Sequence, residues 1–244
     1  MLEKRYADVQ GSGMEMLLFL PEGKGPFPGI VVAQHIPVAH TGLEKDPFQL
    51  KVGERLAQAG FAAVIPYIFH WWAPEEDIAV KREEFRDDRV IEDLAAAYDL
   101  LAGSASVDGN RIGIIGHCWG GRVSWLGACS NPGYKAVTIL YGGRIKVGMG
   151  EGATAPIKLA DKINCPVLGI FGNDDQNPSP EDVNDYERAL AEAGVHYEFH
   201  RYDNAGHGFQ DFTNPERYRK EAAEDAWRKV LAFNEKELTS DRST

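Results

Sequence analysis

The chain has 244 residues, 43% apolar and 26% charged, with a formal net charge of −11. Size and composition suit a globular domain with a sizeable core, and the acidic balance argues against nucleic acid or an anionic membrane surface as a main partner. No run approaches the roughly eighteen apolar residues of a bilayer span, and the opening MLEKRYADVQ lacks the apolar stretch of a signal peptide, so no membrane association and a cytoplasmic location are expected.

Strand-like and helix-like segments alternate along the chain. MEMLLFL (14–20) reads as a strand before the turn PEGKGPFPG, and GIVVAQH (29–35) as a short buried strand. LKVGERLAQAG (50–60) has helical spacing and stops at Gly60, and FAAVIPYIF (61–69) is strand-like. Helical periodicity spans 74–102, with Val90, Leu94, Ala97 and Leu101 along one face. RIGIIG (111–116) is a strand, and the residues after Cys118 read as a helix to about Cys129. AVTILYGG (136–143) and VLGIFG (167–172) are further strands, and 180–194 is a helix with Pro180 and two acids in its first turn. HYEFHRYDNAGHGF is a strand running into a loop, and 216–238 is a closing helix. This alternation predicts one α/β domain over 1–244, a mostly parallel central sheet flanked by helices on both faces.

The stretch "IGIIGHCWGG" carries the chemistry. Gly116-x-Cys118-x-Gly120, between a strand and a helix, has the form of a nucleophile elbow with cysteine in place of serine. The residues two positions either side of the tip must be small, and Gly116 and Gly120 are. The helix that follows aims its first N–H groups at the tip, favouring a thiolate and offering donors to an oxyanion. A packed cysteine in a phosphate-loop-like turn is the plain alternative, but the Lys-Ser or Lys-Thr pair of such loops is absent. The three cysteines are odd in number and widely spaced, so neither a disulfide framework nor a zinc knuckle is suggested.

In this architecture the acid follows a later strand and the histidine comes last. "GIFGNDDQNPSPED" supplies Asp174 and Asp175, and "YDNAGHGFQDF" supplies His207. "GHCWGG", "FGNDDQNPSPED" and "NAGHGF" together resemble the dienelactone hydrolase family, a cysteine branch of the α/β-hydrolases, over most of the chain. The resemblance implies that Cys118 is the nucleophile, His207 the base and Asp175 the acid, with Asp174 as the fallback. It also places Tyr141, in "ILYGG", near the site.

Two departures stand out. His35 occupies the place where the family often has a glutamate that holds the cysteine. The positions of the family's two carboxylate-gripping arginines fall near Trp71 and Asp211, neither of which is arginine. The resemblance therefore implies lactone or ester hydrolysis through a thioester, without metal or organic cofactor, on a small-molecule substrate other than the family's best-known one. The oxyanion is expected at the backbone N–H groups of Ile36 and Trp119. His35, Trp71, Tyr141 and Arg144 are candidate pocket residues, and His40 and His70 could stand at its mouth. A protonated His35 beside Cys118 could hold a thiolate. The competing reading is a ligand-binding or thiol-sensing protein on the same scaffold. Either reading suits a monomer or a small homo-oligomer.

Overall fold

Short runs of Val, Ile and Leu that must be buried on both faces form the middle of the sheet, as a parallel sheet requires. The computed structural model describes residues 1–36 and 42–239. Its strands are β1 (Leu2–Val9), β2 (Ser12–Phe19), β3 (Phe27–Ala33), β4 (Ala62–Pro66), β5 (Val107–His117), β6 (Val137–Leu140), β7 (Val167–Gly172) and β8 (Tyr197–Tyr202). Its helices are α1 (Pro47–Gln58), α2 (Ile78–Glu83), α3 (Asp87–Ala102), α4 (Trp119–Ser130), α5 (Pro180–Glu192) and α6 (Lys220–Thr239). The sheet order is β1-β2-β4-β3-β5-β6-β7-β8. β2 pairs antiparallel with β1 and β4, and every other pairing is parallel.

Two cores flank the sheet. One gathers Val90 and Leu94 of α3, Val123 of α4 and Val183 of α5. The other gathers Val52 and Leu56 of α1 with Trp227 and Val230 of α6. Helices thus cover both faces, as the sequence pattern predicts. Strand order reverses direction between β3 and β5, so a crevice opens beyond their C-terminal ends, the usual place for a ligand in a sheet of this kind.

Three differences from the sequence reading have physical causes. β1 was not anticipated, since it is an edge strand with most side chains in solvent and only Glu3, Ala7 and Val9 turned partly or fully inward. It is held by its register with β2 and by a turn at Gln10 and Gly11, both at positive φ (51° and 83°). The stretch 74–102 is two helices, broken over 84–86, because Asp87 turns inward to meet Arg122. The strand expected over 136–143 ends at Leu140, where Tyr141 takes φ 39° and turns the chain out of the sheet.

The Asp87–Arg122 pair is the main polar tie beneath the crevice. Arg122 is fully buried and forms a bidentate pair with Asp87, at 2.7 and 3.0 Å. Its remaining N–H groups donate to the carbonyls of Arg144 and Val147, while Asp87 also accepts from the Met149 N–H. One ion pair therefore fixes α3, α4 and the loop after β6. Removing one partner leaves a buried charge uncompensated, which costs about 3–5 kcal/mol. Asp87→Ala is expected to lower unfolding stability by about that much in urea titration, and the double variant Asp87→Leu/Arg122→Met to recover much of the loss.

Candidate active site

The site begins with a backbone constraint. Cys118 caps α4 at φ 56°, ψ −119°, a region that L residues rarely occupy. The turn closes only because its neighbours lack side chains. A Cβ on Gly116 would stand 2.1 Å from the Gly120 carbonyl oxygen, and one on Gly120 would stand 2.1 Å from that of Ala33. α4 is buried along nearly its whole length, so the turn is backed by core on every side. The Cys118 N–H donates to the Leu140 carbonyl at 2.9 Å, fastening the tip to the end of β6.

Asp175 and His207 arrive on the next two strand ends. Gly172 closes β7 where a Cβ would collide with the Ala205 carbonyl at 2.1 Å, so the loops after β7 and β8 lie against each other. Asn173 and Asp174 N–H groups then bond to Tyr202 and Ala205 across that seam. His207 Nε2 lies 2.9 Å from Cys118 Sγ, and His207 Nδ1 lies 2.9 Å from Asp175 Oδ2. Asp175 is buried, and its other oxygen accepts the Asn177 N–H at 2.8 Å. The hydrogen-bonded carboxylate is Asp175, while Asp174 lies at the cavity wall. Tyr141, also buried, sets its ring edge-to-face against His207 with centroids 5.3 Å apart.

Burial opposes a charge on His207. Its hydrogen bonds to Asp175 and Cys118, and the negative charge at both, outweigh that and take it up to about 10. A proton shared between two partners suits a group that must shuttle one.

A cavity of about 610 Å³ opens over these groups, lined in part by Cys118, Trp119, Ile36, His35, Tyr141 and Arg144. Trp119 opens α4, where the first N–H groups have no acceptor within the helix. Three expectations change. Trp71 is not among the lining residues: its indole N–H donates to Asp93 at 3.1 Å, and its ring packs on His70 and under Arg89. His70 is likewise taken up by Asp93, at 2.8 Å, and by Ser12. His35 does reach the cavity, but its Nε2 is committed to Asp46 at 2.5 Å, and Cys118 Sγ is met by His207 instead. Burial works to raise the Asp46 carboxyl, yet the His35 bond and the Phe48 and Gln49 amides hold it below its ordinary value. His35 therefore secures the start of α1. His40 lies outside the described residues.

The sequence reading missed Arg82 and Arg217, which line the cavity with Arg144. Both stand in charged stretches, VKREE and NPERYRK, that look like ordinary solvated faces. Only the fold brings them to the crevice.

Strand order, elbow and the line of three hydrogen-bonded side chains define an α/β-hydrolase. Comparison narrows this: the family model of the dienelactone hydrolase family matches residues 14–238, and the chain belongs to that family. A carboxymethylenebutenolidase of Rhodococcus opacus is 32% identical over 199 residues, 79% of this chain and 77% of its own. A protein of Methylorubrum extorquens provisionally named as carboxymethylenebutenolidase is 33% identical over 221 residues, 86% and 72% of the two chains. A Klebsiella pneumoniae structure provisionally assigned as a dienelactone hydrolase superimposes with a TM-score of 0.82 at 29% identity, covering 96% of this chain and 98% of that one. A dienelactone hydrolase-like promiscuous phosphotriesterase, P91, from metagenomic libraries shares the fold at a TM-score of 0.79 and 22% identity, over 98% of each chain. The protein is thus an ester/lactone hydrolase of the dienelactone hydrolase type. No described helix is long and apolar enough to cross a membrane.

Two measurements check the electrostatics. Cys129 and Cys165 are buried, and burial pushes the Cys129 thiol up to about 12, whereas Cys118 opens onto the cavity. Iodoacetamide should therefore label Cys118 ahead of both in the folded protein; equal rates would contradict an accessible, activated thiol. Because His207 is raised above its ordinary value, its contribution to stability is complete below the unfolded value near 6.5 and is lost as pH rises through about 10. The stability gap between wild type and His207→Phe, measured by urea unfolding, should narrow across that window.

Proposed function

We propose that the protein hydrolyses a lactone or ester through Cys118, His207 and Asp175 with a thioester intermediate. The observation that carries this reading is the unbroken chain from Cys118 Sγ through both ring nitrogens of His207 to buried Asp175. His207 holds the proton that Cys118 gives up, and Cys118 attacks as the thiolate. The thiolate adds to the substrate carbonyl, and the oxyanion is met by the N–H groups of Trp119 and Ile36. Collapse breaks the acyl–oxygen bond, and the leaving oxygen takes the His207 proton. Neutral His207 then accepts a proton from water as the water oxygen adds to the thioester. Loss of the thiolate releases the acid and restores the pair. Asp175 keeps the imidazole in one orientation and stabilises its charged form throughout.

A good leaving group, such as the enolate of an enol-lactone, suits a thiolate nucleophile, which is itself expelled readily. The cavity also carries a charge signature. Arg82, Arg144 and Arg217 line it with no ion-pair partner among the described residues, in a chain of net charge −11. Asp211, on the same wall, is occupied by the Thr213 N–H and hydroxyl, at 2.9 and 2.5 Å. Unpaired guanidinium groups at the mouth of a concave site favour an anionic substrate.

The test is turnover of enol-lactones and activated aryl esters. Cys118→Ala and His207→Ala should each lose at least about a thousandfold in kcat/KM, in line with removal of one member of a coupled set. Wild type no faster than both variants would leave a binding or sensing protein as the better reading. Arg144→Ala should lower kcat/KM for a monoester of a dicarboxylic acid by about tenfold while leaving a neutral ester nearly unchanged.

A further inference from the structure

A second cavity, of about 450 Å³, lies between α1 and α6, behind the wall of the catalytic one. Among the described residues Phe48 alone lines both, and Cys118 lines only the catalytic cavity. The chemistry differs sharply on the two sides of that ring. The catalytic cavity carries unpaired arginines, whereas the charges of the second are neutralised locally. Arg55 makes a two-pronged pair with Glu224, at 3.2 and 2.8 Å, and Lys51 reaches Glu54 at 3.3 Å. Its walls are aromatic: Phe48, Tyr218 and Trp227, with Arg55 stacked over the Trp227 ring at 4.6 Å. Phe212 stands at its lining yet is 43% exposed, a large apolar side chain that a bound molecule would cover.

Two polar side chains that line this cavity have unmet hydrogen-bonding capacity. His117 is 1% exposed and Gln210 is 7% exposed, both are lining residues, and neither His117 Nδ1 nor Gln210 Oε1 has a partner among the described residues. A buried polar atom left without a partner costs about 1–3 kcal/mol, and native structures hold few of them. His117 is uncharged: burial first, and then the nearby His35, push it down to about 3. A neutral imidazole and an amide lining one cavity offer both donors and acceptors, with no charge to attract an anion.

We propose that this cavity is a second binding site, for a small uncharged aromatic molecule bearing a hydroxyl, such as a phenol. The ring packs between Phe48 and Trp227, Phe212 closes over it, and the hydroxyl meets His117 and Gln210. An aromatic carboxylate is disfavoured, because nothing unpaired and positive faces it. Binding here does not depend on the chemistry of Cys118, so this assignment and the catalytic one fail separately.

The test uses the full-length Cys118→Ala protein and 4-ethylphenol as probe, followed by the indole N–H resonance of Trp227, which is identified with Trp227→Phe. Saturable shifts with a Kd at or below about 1 mM are expected, the range of a ligand of this size. Gln210→Leu, which keeps the volume, and Phe212→Ala, which lies at the surface, should each weaken binding about tenfold, and 4-ethylbenzoate should bind weaker by a similar factor. The proposal is overturned if Trp227 does not respond up to about 5 mM probe. Unchanged affinity in both variants, or equal affinity for 4-ethylbenzoate, would also overturn it.

Discussion

The backbone at Cys118 is the constraint from which the rest of the site follows. Holding a non-glycine residue at φ 56° costs on the order of 1–3 kcal/mol and persists only where the surroundings over-determine it. Here three glycines do so against three different elements. Gly116 clears α4, Gly120 clears the end of β3, and Gly121 clears Gly142 after β6. The same close approaches that permit the turn bring Ile36 and Tyr141 to its tip. The positions of Cys118, of Ile36 and of the aromatic neighbour of His207 are thus consequences of one packing solution rather than separate placements.

Around this turn, buried carboxylates are matched one by one. Asp46 meets His35, Asp87 meets Arg122, Asp93 meets His70, and Asp175 meets His207. The first three brace the start of α1, the loop after β6 and the segment after β4. Only the last has a cysteine sulfur on its far side. Burial pushes the Asp93 carboxyl up despite its bonds to His70 and Trp71.

What could be read from the sequence was what depends on local pattern. The parallel strands are apolar runs, α3 is a regular stripe, and the elbow glycines sit at fixed offsets from Cys118. Asp175 and His207 were legible because order along the chain constrains where each loop must lie. Trp71 was not, because an indole beside a charged partner and an indole beside a substrate have the same sequence signature. Arg82 and Arg217 were hidden for a related reason. An arginine in a polar stretch reads as solvated, and only tertiary folding turns it toward a crevice. β1 escaped notice because an edge strand owes its existence to its partner rather than to its own alternation.

Arg144 combines a fixed backbone with an uncommitted side chain. Its φ of 58° is left-handed, and its carbonyl is held by Arg122 at 3.2 Å. Glycine and asparagine tolerate that conformation better than arginine does. The position can therefore be exchanged without loosening the loop, and some exchanges relieve strain. Within this scaffold the charge of the cavity mouth can drift independently of the elbow, so a change of substrate need not pass through an unstable intermediate sequence.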